Sequence, residues 1–269
     1  MGKILGRARV IAVANQKGGV GKTTTAVNLT TALAACGQRV QIIDLDPQGN
    51  ASTGFGIERR GHLKGSYEVL LDSASLEDVT IESGIPGLSV VPSTTDLAGA
   101  DIELATVERR EFRLRDSINQ QSELFDYILI DCPPALGLVT LNGLVAADAV
   151  LVPVQCEFYA LEGLSHLVRT IERVKKSFNP DLEIQGLVLT MYDKRNNLCG
   201  MVEGDVRDFF GDKVYRTVIP RNIRVSEAPS HGKPVLVYDM NCPGAQAYIH
   251  LASEVLRRER RLFAGARES

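Results

Sequence analysis

Short runs of β-branched and aliphatic residues alternate along the chain with stretches whose apolar positions recur every three to four residues. Residues 10–14, 40–43, 88–91, 127–130, 149–152 and 184–191 read as strands, and 23–36 and 161–178 as helices. Gly37 closes the first of these helices, because glycine enters the left-handed turn at a helix end without steric cost. Near-continuous apolar strands imply burial on both faces, and strand-helix alternation implies right-handed crossovers. The expectation is an α/β fold: a doubly wound, mostly parallel sheet with helices on both faces, binding ligands at the carboxyl ends of its strands.

Composition narrows this picture without changing it. The 269 residues are 44% hydrophobic and 23% charged, enough for one sizeable core and a single domain, expected over 9–263 between loose ends at 1–8 and 264–269. The apolar part of the first residues is too short for a signal peptide, and no apolar run approaches the ~20 residues that span a bilayer, so a cytoplasmic location is expected. Cys36, Cys132, Cys156, Cys199 and Cys242 are scattered without C-x-x-C spacing and read as reduced thiols. A net charge of -3 means that any nucleic-acid contact must come from a local patch.

The sharpest chemistry follows the first strand, in Asn15-Gln16-Lys17-Gly18-Gly19-Val20-Gly21-Lys22-Thr23-Thr24. Strand, glycine-rich turn, Gly-Lys-Thr and helix make the setting of a phosphate-binding P-loop. Backbone N–H groups must curl closely round an anion, which calls for glycine, and the helix beginning near Thr23 adds its positive end. Lys22 supplies charge to the β- and γ-phosphates of ATP, and the Thr23 hydroxyl is a ligand for Mg2+. A glycine turn that merely joins strand to helix would explain the glycines but not Lys22 and Thr23 together.

Carboxylates stand where such a site needs them. Asp44-Leu45-Asp46-Pro47-Gln48-Gly49-Asn50 follows the second strand, where an acid can orient a water against the γ-phosphate; the same residues are also turn formers. Residues 127–131 form an apolar strand ending in Asp131, placed to hold the hydration shell of Mg2+ beside Thr23, and Pro133-Pro134 turns the chain at once.

Gln16 stands where the usual motif has its first glycine, and the loop resembles the deviant Walker A motif KGGVGKTT of the ParA, Soj and MinD ATPases. Further blocks, DLDPQGNAS at 44–52, DCPPALGL at 131–138, PVQCEFYALEGL at 153–164, LTMYD at 189–193 and VIPRNIRVSEAPSHGKPV at 218–235, look like the chromosomal ParA/Soj branch. The resemblance implies that Lys17 reaches across a homodimer interface to the partner's nucleotide; read alone, it is better taken as a solvated loop lysine. It assigns the water-orienting task to Asp46, with Asp44 reaching Mg2+ through water, and makes Pro220 and Asn222 candidate adenine contacts, where a plain edge turn competes.

Residues 213–233 carry Lys213, Arg216, Arg221, Arg224 and Lys233 against one acid, Glu227. The family places DNA-binding arginines at positions matching Arg195 and Arg224, although a charge run by itself is usually a solvated face. The resemblance implies non-specific double-stranded DNA as one partner, a ParB-type centromere-binding protein as another, and nucleoid association without stable membrane binding. The runner-up is a MinD-like ATPase with an amphipathic membrane helix. Tyr248, Leu251, Ala252, Val255 and Leu256 do form a stripe, but Arg257-Arg258-Glu259-Arg260-Arg261 interrupts it, which favours docking on the core. Cys132 and Cys156 lack the flanking sequence of a nitrogenase-iron-protein-like reductase. A cobyrinate-type amidotransferase is disfavoured because the chain leaves no room for a second catalytic domain.

Overall fold

The computed structural model describes residues 7–58 and 63–265. Among them, seven strands form one sheet: β1 Arg9–Val13, β2 Val40–Asp44, β3 Ile81–Glu82, β4 Leu88–Val91, β5 Tyr127–Asp131, β6 Ala149–Gln155 and β7 Glu183–Thr190. Their order is β3-β4-β2-β5-β1-β6-β7, parallel throughout except where β3 pairs with β4. The doubly wound α/β expectation therefore holds, with one antiparallel edge. Two residues are too few to show a period, which is why β3 left no sequence signal.

Period-two alternation divides the core into two layers. Val10, Ala12, Ile128 and Ile130 face the layer closed by the helices Leu138–Ala146, Ala160–Ser177 and Asn197–Phe210. Ile11, Val13, Ile42 and Leu129 face the helix Lys22–Ala35 and the C-terminal helix Pro243–Gly265. Tyr248, Leu251, Ala252 and Val255 are buried in that second layer, so the stripe that raised the membrane reading is consumed by packing. Gly37 turns left-handed (φ 78°) after the first helix, as expected. Among the described residues no helix is long and apolar enough to cross a membrane.

The chain is held to the core from Arg7 onward. Ala8 is buried and donates its N–H to Ser122 O at 2.7 Å, and Arg7 pairs with Asp148 at 2.5 Å. The C-terminal helix runs on to Gly265. The rest of the segments expected to be loose, 1–6 and 266–269, lies outside the described residues.

Residues 214–221 lie along the outer edge of β7, bridging Leu187 with Val214 and Tyr192 with Pro220. Gly186 permits this approach: a Cβ there would stand 2.6 Å from the Tyr215 ring and 2.8 Å from Lys213 O. The helix Asn197–Phe210 leads the chain back to this edge, but 214–221 touches it only through isolated bridges and forms no strand, so periodicity gave no reason to expect it against the sheet.

Candidate active site

β1 is central, and the chain leaves it first towards β2 and later, from β5, towards β6. The carboxyl end of β1 is thus the point at which connections diverge, the ligand crevice of an open parallel sheet. The loop that follows β1 sits there. Gly19 and Gly21 adopt φ 76° and 86°, and neither position would suit a side chain. Gly21 caps the helix Lys22–Ala35 without a side-chain hydrogen bond, so N–H groups of the first turn are turned to the hollow of the loop. The loop is anchored from two neighbouring strands: Asn15 donates to Pro153 O at 2.8 Å and accepts from the Lys17 N–H at 3.1 Å, while the Thr190 hydroxyl donates to Val20 O at 2.8 Å. The sequence showed Asn15 and Thr190 at strand ends but not that they grip one loop, because that depends on strand order.

Lys22 is buried, with Nζ donating to Lys17 O at 3.0 Å. Burial lowers its pKa, and the carboxylates of Asp131 and Asp46 oppose that shift. Those charges place Lys22 beside the acids that the sequence brought together on paper. Asp44 and Asp131 are directly paired positions on β2 and β5, and both are fully buried. Burial raises Asp131 well above the carboxylate range; Asp44 adds to the rise, and the Thr23 hydroxyl and Lys22 work against it. Burial likewise pushes Asp44 up to about 6, against the hydrogen bonds of Ser52.

The two acids differ in what they can still do. Asp44 is saturated by the chain: Oδ2 accepts the Ser52 N–H and hydroxyl at 2.8 and 2.7 Å, and Oδ1 accepts the Asp46 N–H at 3.1 Å. It holds the turn 44–52 in shape. Both oxygens of Asp131 are buried and accept no well-formed hydrogen bond. An orphaned buried carboxylate beside a second acid is an unfavourable arrangement that a divalent cation relieves. Among the described residues no group of three or more acidic, His or Cys ligands gathers into a cage. That suits Mg2+, which binds through one or two carboxylates, water and phosphates. Asp46 is half-buried; its Oδ1 accepts the Gln48 N–H at 2.9 Å, and Oδ2 has no protein partner among the described residues.

Lys17 lies on the open side of the loop, paired with Glu157 at 2.6 Å. Beside it the exposed Phe158 and Tyr159 pack edge to face at 5.2 Å, following the carboxyl end of β6. Leu136, after β5, is also exposed. Glu157 was not singled out in the sequence, where nothing ties position 157 to position 17.

A family profile described as an AAA domain matches residues 8–184. The chain is 60% identical to the chromosome partitioning protein ParA of Caulobacter vibrioides, over 94% of this chain and 95% of that one. The chain belongs to the ParA/Soj family of chromosome-partitioning P-loop ATPases. It is also 52% identical to the sporulation initiation inhibitor protein Soj of Bacillus subtilis, over 92% of this chain and 98% of that one. A solved structure described as cobyrinic acid a,c-diamide synthase of Mycobacterium smegmatis, with bound ATP analog and magnesium, superposes with a TM-score of 0.83 at 37% identity. The two chains cover 94% and 96% of one another, so chain length does not separate the amidotransferase reading from the ParA/Soj one; sequence identity does.

Residues to which the family likeness gave other tasks have partners of their own along the β7 edge and the loops beyond it. Pro220 bridges Tyr192 at the edge of β7, and the Asn222 side chain accepts the Val225 N–H at 3.3 Å, capping the short helix Ile223–Glu227. Arg195 is 89% exposed and grips Asp193 through Nε and Nη2 at 3.0 and 2.9 Å, which pushes that acid down to about 2. Arg224 pairs with Glu227 at 3.0 Å and Asp239 at 3.5 Å. Lys213, Arg216, Arg221 and Lys233 are exposed. The buried thiols Cys132 and Cys156 are pushed to higher pKa by burial, Cys156 to about 12.

Proposed function

We propose that this protein partitions chromosomal or plasmid DNA, using ATP binding to assemble a homodimer on DNA and ATP hydrolysis to release it. The observation that carries the reading is Asp131: a fully buried acid whose two oxygens accept no well-formed hydrogen bond, beside Thr23 and Lys22 at a loop of left-handed glycines. That is a site awaiting a cation and a polyanion together. Residues Lys17 to Thr24 would cradle the triphosphate of ATP, with Lys22 at its outer phosphates and the Thr23 hydroxyl and Asp131 on Mg2+ and its water. Bound Mg2+ would neutralise charge on the β- and γ-phosphates. Asp44 holds the turn that presents Asp46, whose open Oδ2 orients the attacking water.

Two copies would meet across the open side of the loop. Lys17, exchanging Glu157 for the partner's nucleotide, adds the cation that a shared triphosphate needs, and Leu136, Phe158 and Tyr159 supply apolar area beside it. Pro220 and Asn222 are candidates for the adenine side, Asn222 through the amide group its capping bond leaves over. DNA would be held through phosphate contacts by Arg195 and Arg224, with Arg221, Arg216, Lys213 and Lys233 nearby, and a ParB-type partner would stimulate turnover. Doubling the patch on dimerisation makes DNA binding depend on ATP through avidity. A cytoplasmic protein that gathers on the nucleoid follows.

The test is the gel-filtration mass of Asp46→Ala with ADP, with ATP, and with ATP plus plain duplex DNA. A dimer with ATP alone, shifting further with DNA, is expected. A monomer under all three conditions would remove the dimer and the DNA cycle built on it.

A further inference from the structure

Far from the phosphate loop, where β7 begins, a groove of about 1530 Å3 runs between residues 212–218 and the C-terminal helix. Six cations line it, Lys213, Arg216, Arg257, Arg258, Arg260 and Arg261, against three acids, Glu183, Asp212 and Glu254. Two of the acids are already satisfied and do not compete for a ligand at the remaining cations. Glu183 pairs with Arg9 at 2.5 Å. Glu254 accepts the N–H groups of Arg216 and Thr217 at 2.9 and 3.0 Å, the Thr217 hydroxyl at 2.9 Å, and Arg258 at 3.0 Å. Asp212 alone offers an exposed counter-charge.

The walls are fixed in place. Arg258 stacks over the Tyr215 ring at 4.0 Å and donates to Val214 O at 2.9 Å and to Lys213 O at 3.3 Å, joining the helix to the edge segment. With Arg258 so used, Lys213, Arg216, Arg257 and Arg261 stand exposed and without an ion pair among the described residues. Four free cations held on two rigid walls are a binding surface for a polyanion, since no rearrangement is needed to present them.

We propose that this groove is a second phosphodiester-backbone site, through which the protein grips duplex DNA along the β7 edge as well as at Arg195 and Arg224. It rests on the DNA-binding reading above and extends it to residues that reading did not contain. The groove is open and larger than the roughly 300–1,000 Å3 of a small-molecule pocket, which favours a polymer. Arg257 and Arg261 lie four residues apart, about 6 Å along the helix axis, while phosphates of one strand advance about 3.4 Å each along a duplex, so the pair can span about two of them. From Lys213 past Arg216 to Arg221 the segment follows β7 upward for on the order of 20 Å, leading from the groove towards Arg195. Arg221 is near enough to Asp193, the partner of Arg195, to lower its pKa. A lipid surface fits less well: it needs an exposed apolar face between the cations, and the stripe of Tyr248, Leu251 and Val255 is buried against the core.

The experiment is fluorescence anisotropy of random-sequence duplex DNA with the full chain and a non-hydrolysable ATP analogue, repeated over a salt series. Arg257→Glu/Arg261→Glu should weaken binding at least tenfold at low salt and flatten the log-log salt slope by about 2, at ~0.9 for each phosphate no longer neutralised. Arg257→Lys/Arg261→Lys should restore most of both, and affinity for the ATP analogue, measured on the same samples, should not change. If the reversed variant does not fold, Arg257→Ala/Arg261→Ala reads the same slope. Unchanged affinity and slope, while Arg224→Glu loses DNA, would overturn the groove and leave the parent reading intact. A wild-type protein that binds no duplex in any nucleotide state would sink the parent reading and the groove with it. Loss of binding to phosphatidylglycerol vesicles with DNA binding untouched would overturn the groove in favour of a lipid contact.

Discussion

Replacing Glu157 by Gln should make the ATP-bound protein dimerise more readily. Lys17 is held by Glu157 at 2.6 Å, and the side chains are 40% and 33% exposed, so the pair belongs with partly solvated ion pairs worth about 0.2–1 kcal/mol. If Lys17 must leave Glu157 to reach the partner's nucleotide, a symmetric dimer breaks two such pairs, at a cost of about 0.4–2 kcal/mol. Glutamine keeps the size and removes the charge, so the dimer constant should rise by about 2- to 30-fold at low ionic strength. The gain should shrink at high salt, where screening weakens the pair in the wild type as well. Sedimentation over a range of protein concentrations in an Asp46→Ala background, with ATP held constant, measures this without loss of nucleotide. A weaker dimer in Glu157→Gln would show that Glu157 works within the interface rather than against it. No change at any salt concentration would show that Lys17 does not exchange partners.

Lys22→Ala should abolish ATP binding in calorimetry, since it removes the buried cation facing Asp131 and Asp46. Asp46→Ala should lower ATP turnover by about 100-fold or more, the range of a lost general base, and leave an ATP dimer that stays on DNA; normal phosphate release would clear that residue of the role. Asp44 has a folded pKa raised to about 6, so its contribution to stability is fully present below its unfolded value and lost as pH rises through about 6. Metal-free protein should therefore lose stability between about pH 4 and 6 on the rise, Mg2+ with ADP should bind more tightly over the same rise, and Asp131→Asn should raise the metal-free melting temperature at pH 8; a fall in Asp131→Asn would contradict the burial argument. Gly186→Ala should cost about 1–3 kcal/mol in urea unfolding, because the new methyl meets Tyr215 at 2.6 Å and Lys213 O at 2.8 Å and must push the edge segment off β7.

The order of residues along the chain was enough to determine the strands of the parallel sheet, the glycine loop with Lys22 and Thr23, and the acids that end β2 and β5, because each is a local pattern: an apolar run, a turn composition, a charge at a strand end. What the chain order left open was decided by contacts between distant segments. Asp44 and Asp131 are 87 residues apart, and only the pairing of β2 with β5 makes them neighbours, one saturated by Ser52 and the other bare. The same reason hides the grip of Asn15 and Thr190 on the loop, the Lys17–Glu157 pair and the basic groove on the C-terminal helix. Periodicity reports which side of an element is apolar, whereas register and strand order, fixed by packing of the whole core, decide which polar groups meet across it.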